Sequence, residues 1–171
     1  FPFGSALPGS VNTAAFDFNT GLGTLTLTLN APVGGSYFVV GFFDHDIDEA
    51  LNSSFNEEGS VNGAPVAGQN WQLDDPFGTI YGNMQANTLA NTNSVSTASP
   101  PPTACCDVSM GMGFNFAMLA GQPATVNYVI SSTVPGGFSL RHYDPDSDAS
   151  VYLWGSATVT DGPGPGPGPG P

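Results

Sequence analysis

VSMGMGFNFAM, residues 108–118, puts Val108, Met110, Met112, Phe114, Phe116 and Met118 at every second position, with Ser109, Gly111, Gly113, Asn115 and Ala117 between them. A period of two is the signature of a strand whose alternate side chains face a core. A methionine stripe can also suggest a soft-metal site, but at this period core packing is the better reading. Upstream, GTLTLTLN (23–30) alternates the same way, with Leu25, Leu27 and Leu29 on one face and threonines on the other. Downstream, ATVNYVIS (124–131) repeats the pattern through Val126, Tyr128 and Ile130, and FSLRHY (138–143) and VYLWGSATVT (151–160) follow. SYFVVGFF (36–43) is a continuous apolar run, which reads as a central strand buried on both faces. A further strand is expected around Trp71–Leu73 in an otherwise loop-rich stretch from Gly59 to Gly82, and Asp74-Asp75-Pro76 reads as a turn.

About seven strands joined by short loops predict an all-β chain. The expected fold is an antiparallel β-sandwich, jelly-roll or immunoglobulin-like, with one short helical insertion and extended termini. Residues 21–161 form the expected sandwich domain. Residues 1–20 form an extended Phe-rich arm containing Phe1, Phe3, Phe16 and Phe18, and residues 162–171 a Gly-Pro tail. An apolar arm of this type either packs back on its own domain or completes a neighbour's sheet.

The acidic stretch DHDIDEALNSSFNEE (44–58) holds six of the fourteen carboxyl side chains, while Arg141 is the only Lys or Arg in the chain. Two readings of it stay open. Asp44, Asp46 and Asp48 stand at i, i+2 and i+4, so on an extended segment they share a face that Ca²⁺ would neutralise, with Glu57 and Glu58 as further ligands. Alternatively Asp46 caps a short helix, Glu49 closes a capping box, and Ile47, Leu51 and Phe55 line one face. DPDSD repeats the acidic spacing at Asp144, Asp146 and Asp148. Ala149 and Gly155 stand where an EF-hand needs Gly and Glu, so a hairpin turn competes with a second metal site. His45 and His142 read as surface histidines beside these carboxylates.

A net charge of −13 with no lysine argues against nucleic acid and anionic membranes as partners, and no apolar run is long enough to span a bilayer. The chain opens at Phe1 and reads as a mature, exported form. Asn52 heads the sequon Asn52-Ser53-Ser54. The adjacent Cys105 and Cys106 favour an oxidised pair, either vicinal or between chains, over two thiols in a turn. The polar segment 87–103 is either a long surface loop or a site for O-linked sugar.

FFDHDIDEALNSSFNEEGSVNG (42–63), GQNWQLDDPFGTIYGN (68–83), LANTNSV (89–95), DVSMGMGFNF (107–116) and GFSLRHYDPDSDASVYLWGSATVT (137–160) occur in this order. The series resembles secreted bacterial proteins of the PEP-CTERM class over about residues 36–160. That resemblance implies export and an extracellular or matrix β domain. A Pro-Glu-Pro signal, a final hydrophobic helix and a basic end are not seen, and Cys105-Cys106 stands where an acidic residue is expected, so surface anchoring is not implied. The leading expectation is a non-enzymatic structural subunit of a filament or matrix, secreted or at the cell surface, assembling with itself and stiffened by Ca²⁺. A carbohydrate-binding module, with Trp71, Tyr81, Tyr143, Tyr152 or Trp154 stacking on glycans, is the first alternative. A carboxylate-dependent glycoside hydrolase is the second.

Overall fold

The computed structural model describes residues 9–47, 56–95 and 107–160. Two sheets pack face to face. The larger has six antiparallel strands in the order β1 (Gly9–Asp17), β2 (Leu22–Asn30), β8 (Pro123–Ser131), β10 (Ala149–Val159), β9 (Ser139–Asp144) and β4 (Glu58–Asn62). The smaller is ordered β3 (Gly35–Asp44), β7 (Ser109–Met118), β5 (Gln69–Asp74) and β6 (Thr92–Asn93), with β5 and β6 parallel. A single short helix, α1 (Ile80–Gln85), is present among the described residues.

The alternation seen in the sequence sets the register. Met110, Met112 and Phe114 from β7 meet Tyr128, Ile130, Leu140 and Leu153 from the other sheet in one core. The Tyr128 ring stands between Phe43 and Phe114, at 5.6 and 5.9 Å between centroids. Hydrophobic burial of this kind contributes roughly 1.5–3 kcal/mol per large side chain before conformational entropy is set against it. The methionines are core.

The small residues of β7 are buried as well, because its outer face is covered. Ile80 of α1 and Leu89 lie over Gly111, and the Phe38 ring lies over Gly113. Gly155 on β10 has the reverse task. A Cβ there would stand 2.5 Å from the Asn127 carbonyl oxygen and 3.3 Å from the Phe114 ring.

Three strands have no counterpart among the expected seven: β1, β4 and β6. None alternates cleanly in sequence, and β6 has only two residues. Residues 9–17 of the expected arm form β1, which pairs with β2 through a register shift between Asn12 and Ala15. SYFVVGFF needs correction. As β3 it pairs with β7 alone and forms the edge of the smaller sheet, with only Val39 fully buried. Continuous apolarity arises here because Tyr37, Val39 and Phe43 pack inward while Phe38 and Phe42 cover the outer face, where Phe42 meets Tyr81 at 4.8 Å. The helix expected after Asp46 falls mainly on residues 48–55, outside the described residues.

Gly155→Ala should destabilise the protein by about 1–3 kcal/mol, because the added methyl must push two paired strands apart. Urea unfolding measures this, and an unchanged midpoint would contradict the packing described.

Candidate functional site

Strand order brings several acidic side chains to one end of the sandwich. There β3 ends at Asp44, β5 ends at Asp74, β9 ends at Asp144, and the chain enters β7 through Asp107 and β4 through Glu57. Strand alternation then sorts them. Glu57 points inward and is 3% exposed, while Glu58 faces Tyr143 across the β4–β9 pair on the outer side.

Two of these carboxyls are occupied by local structure. Asp74 accepts hydrogen bonds from the Gln72 amide, the Thr79 backbone and hydroxyl, and the Ser94 hydroxyl. Burial alone would raise its carboxyl, but these donors outweigh it and hold Asp74 below its ordinary value. Gln72 in turn accepts from Asn83 and from the Ala90 backbone, so this polar group anchors α1 to the sheet. Asp144 accepts from the Asp146 and Ser147 backbones and from the Ser147 hydroxyl, and Asp148 accepts from the Tyr143 hydroxyl. DPDSD therefore closes the β9–β10 hairpin, with Asp148 at a φ of 54°.

The remaining carboxyls are less well served. Glu57 Oε2 accepts from the Val108 backbone N–H at 3.0 Å and lies 2.7 Å from His142 Nε2, a short contact without the angle of a full hydrogen bond. His142 is completely buried, which corrects the surface reading, because β9 turns its even-numbered residues inward. His45 is half-buried and meets the Gly21 carbonyl at 3.1 Å, joining the β1–β2 turn to the end of β3. Asp44 accepts from the Ser109 hydroxyl at 3.0 Å. The packed end of the sandwich raises its carboxyl above the ordinary value, Asp46 and Glu57 add to this, and Ser109 and His142 oppose it. Asp107 is pushed up to about 7, first by burial and then by Asp44, Glu57, Asp46 and Asp75. Asn56 Oδ1, Glu57 Oε1 and Asp107 Oδ1 are buried with no hydrogen-bond partner among the described residues.

Arg141 cannot neutralise this end. It lies on the outer face of β9, donates to the Ser150 hydroxyl and sits 4.2 Å over the Tyr143 ring. Among the described residues, no three His, Cys, Asp or Glu side chains are drawn together as a ready metal-ligand set. Asp46 is exposed beyond β3. Phe16 packs against the core and touches Phe18, which is 74% exposed. Phe1, Phe3, Asp48, Asn52, Cys105, Cys106 and the Gly-Pro tail lie outside the described residues, so the assembly, metal, sequon and disulfide readings at those positions are not addressed.

Sequence reasoning missed Asp107 and Asn56. The available signal was Asp107 itself, the carboxyl that immediately precedes the strongest alternating strand. At the opposite end of the sandwich, Val66, Gln69, Pro135, Phe138 and Trp154 line a shallow groove. Among the described residues no helix is long and apolar enough to cross a membrane. No family model, curated protein or solved structure matches this chain.

The raised Asp107 carboxyl has a measurable consequence. Its folded value exceeds the unfolded value near 4, so the folded protein holds the extra proton between about pH 4 and 7. Stability from this group is therefore greatest at the acid end of that window and falls as pH rises through 7. In metal-free buffer the urea midpoint should be lower at pH 8 than at pH 5, and Asp107→Asn should flatten the difference. It should also stabilise the pH 8 protein by on the order of 1 kcal/mol, the full linkage being reduced because water screens part of the group. An unaltered slope in Asp107→Asn would contradict this assignment.

Proposed function

We propose that this chain is a non-enzymatic extracellular structural subunit that associates with copies of itself through its sheet edges. The observation that carries this reading is β3. It is a ten-residue, largely apolar strand at the edge of the smaller sheet, with no second pairing partner among the described residues. Monomeric proteins usually protect such an edge with lysine, proline, a bulge or a covering segment. Here the described β3 has a regular register, its first charged residue is Asp44, and the chain contains no lysine. On the larger sheet β1 is a second edge, exposed over most of both faces and carrying Val11 at 60% exposure. The resemblance of residues 36–160 to exported PEP-CTERM-class proteins favours an extracellular or matrix setting. Phe1, Phe3, Phe16 and Phe18 remain the candidate arm residues.

A carbohydrate-binding module is the second reading, favoured by the groove beside Trp154 and Phe138. Binding of a soluble glycan that is lost in Trp154→Ala would support it over self-association. The glycoside hydrolase reading gains nothing from that groove, which includes none of Asp44, Glu57 or Asp107.

Ser36 and Val40 lie on the outer face of β3, four residues apart. Ser36→Lys with Val40→Lys should charge the edge and shift the protein to monomer in sedimentation velocity, with circular dichroism unchanged. A wild type that stays monomeric at high concentration would overturn the self-association reading. So would a folded double variant that associates as the wild type does.

A further inference from the structure

The closed acidic end contains more buried oxygen than its donors can satisfy. Glu57 is 3% exposed, and its Oε1 lacks a partner among the described residues even though Oε2 is held by Val108 and His142. Its chain neighbour Asn56 and the chain neighbour of Val108, Asp107, each bring a further buried oxygen without a partner. An unsatisfied buried polar atom costs about 1–3 kcal/mol, and more when it is charged. Native proteins rarely leave three together without water, an ion or a functional purpose. All three are oxygens and the lone arginine is committed elsewhere, while the nearby donors without a full hydrogen bond are the ring nitrogens of His142, of which Nε2 faces Glu57 Oε2.

We infer that this end of the sandwich is a hard-cation site, in which Asn56, Glu57 and Asp107 supply side-chain oxygens to one Ca²⁺ and Asp44 completes the acidic contribution. Ca²⁺ suits this set because it takes six to eight oxygen ligands in flexible geometry, accepting carboxyl, amide and backbone oxygens together with water. Glutamate, aspartate and asparagine offer no thiolate, and the imidazole of His142 is engaged with Glu57, so softer metals have little to prefer. The side chains do not already close around one point. Asp44 is exposed at the end of β3 and held by the Ser109 hydroxyl, a contact that it would exchange for the ion. His142 is a positioning residue, holding Oε2 of Glu57 so that Oε1 stays available. The ligand set differs from the i, i+2, i+4 pattern of the acidic run. It joins the end of β3 and the starts of β4 and β7, so the ion would tie the two sheets together at this end.

Isothermal titration of CaCl₂ into the full chain at pH 7.5, after exhaustive chelation, tests the site. One Ca²⁺ should bind per chain, and saturating Ca²⁺ should raise the melting temperature by roughly 5 °C. Asp107→Asn and Asn56→Ala should each weaken binding by about tenfold or more. Asp146→Asn, in the β9–β10 turn, should leave binding unchanged. Absence of both binding heat and a melting shift at 10 mM Ca²⁺, on the order of the weakest extracellular sites, would overturn the proposal. Binding that survives Asp107→Asn and Asn56→Ala, or that is lost in Asp146→Asn, would overturn it equally.

Discussion

Glu57 lies against His142, 2.7 Å away, at the closed end of the sandwich, because β4 pairs with β9 in a register that sets Gly59 opposite His142. Gly59 itself is confined, since a Cβ there would stand 2.6 Å from Val95. Much of this end follows from the single contact. It fixes the start of β4 and draws the Val108 backbone onto the same carboxyl, which seats Asp107 at the entry to β7. The price is a buried acidic group in a chain that has almost no cation to offer.

Most of the carboxyls at this end avoid that difficulty through backbone and hydroxyl donors. Asp74 organises the loop into α1, and Asp144 and Asp148 close a hairpin. These are ordinary structural tasks for aspartate, which accepts hydrogen bonds from turn backbones readily. Glu57 differs in being turned toward the interior and Asp107 in carrying a buried oxygen without a partner among the described residues, and such a carboxyl must be paired, protonated or bound to a cation.

The core was legible from sequence wherever one face of a strand is buried. The alternation of 108–118, 23–30 and 124–131 states the inward face directly, and Met110, Met112, Leu29, Val126, Tyr128 and Ile130 are buried as the pattern requires. Sheet position was not legible in SYFVVGFF, because an edge strand covered on both faces by its own aromatics reads like a central one. Nor was the placement of α1, whose six residues are held by Gln72 and Asp74 from outside the helix rather than by capping within it. The acidic end was half legible. Asp44 and Glu57 stand in a conspicuous run, yet period-two geometry separates Glu57 from Glu58. Asp107, fifty residues further on, reaches the cluster only through strand pairing, which a linear pattern does not reveal.

The buried oxygens of Asn56, Glu57 and Asp107 are proposed to share one cation. Anomalous diffraction from a crystal grown in Ca²⁺ and measured at long wavelength tests it most directly. A single strong peak per chain is expected within about 2.3–2.6 Å of oxygens from these three side chains. A map with no peak there, and with Asp107 hydrogen-bonded to water or to a neighbouring carboxyl, would contradict it and leave a shared proton as the means by which this end is neutralised.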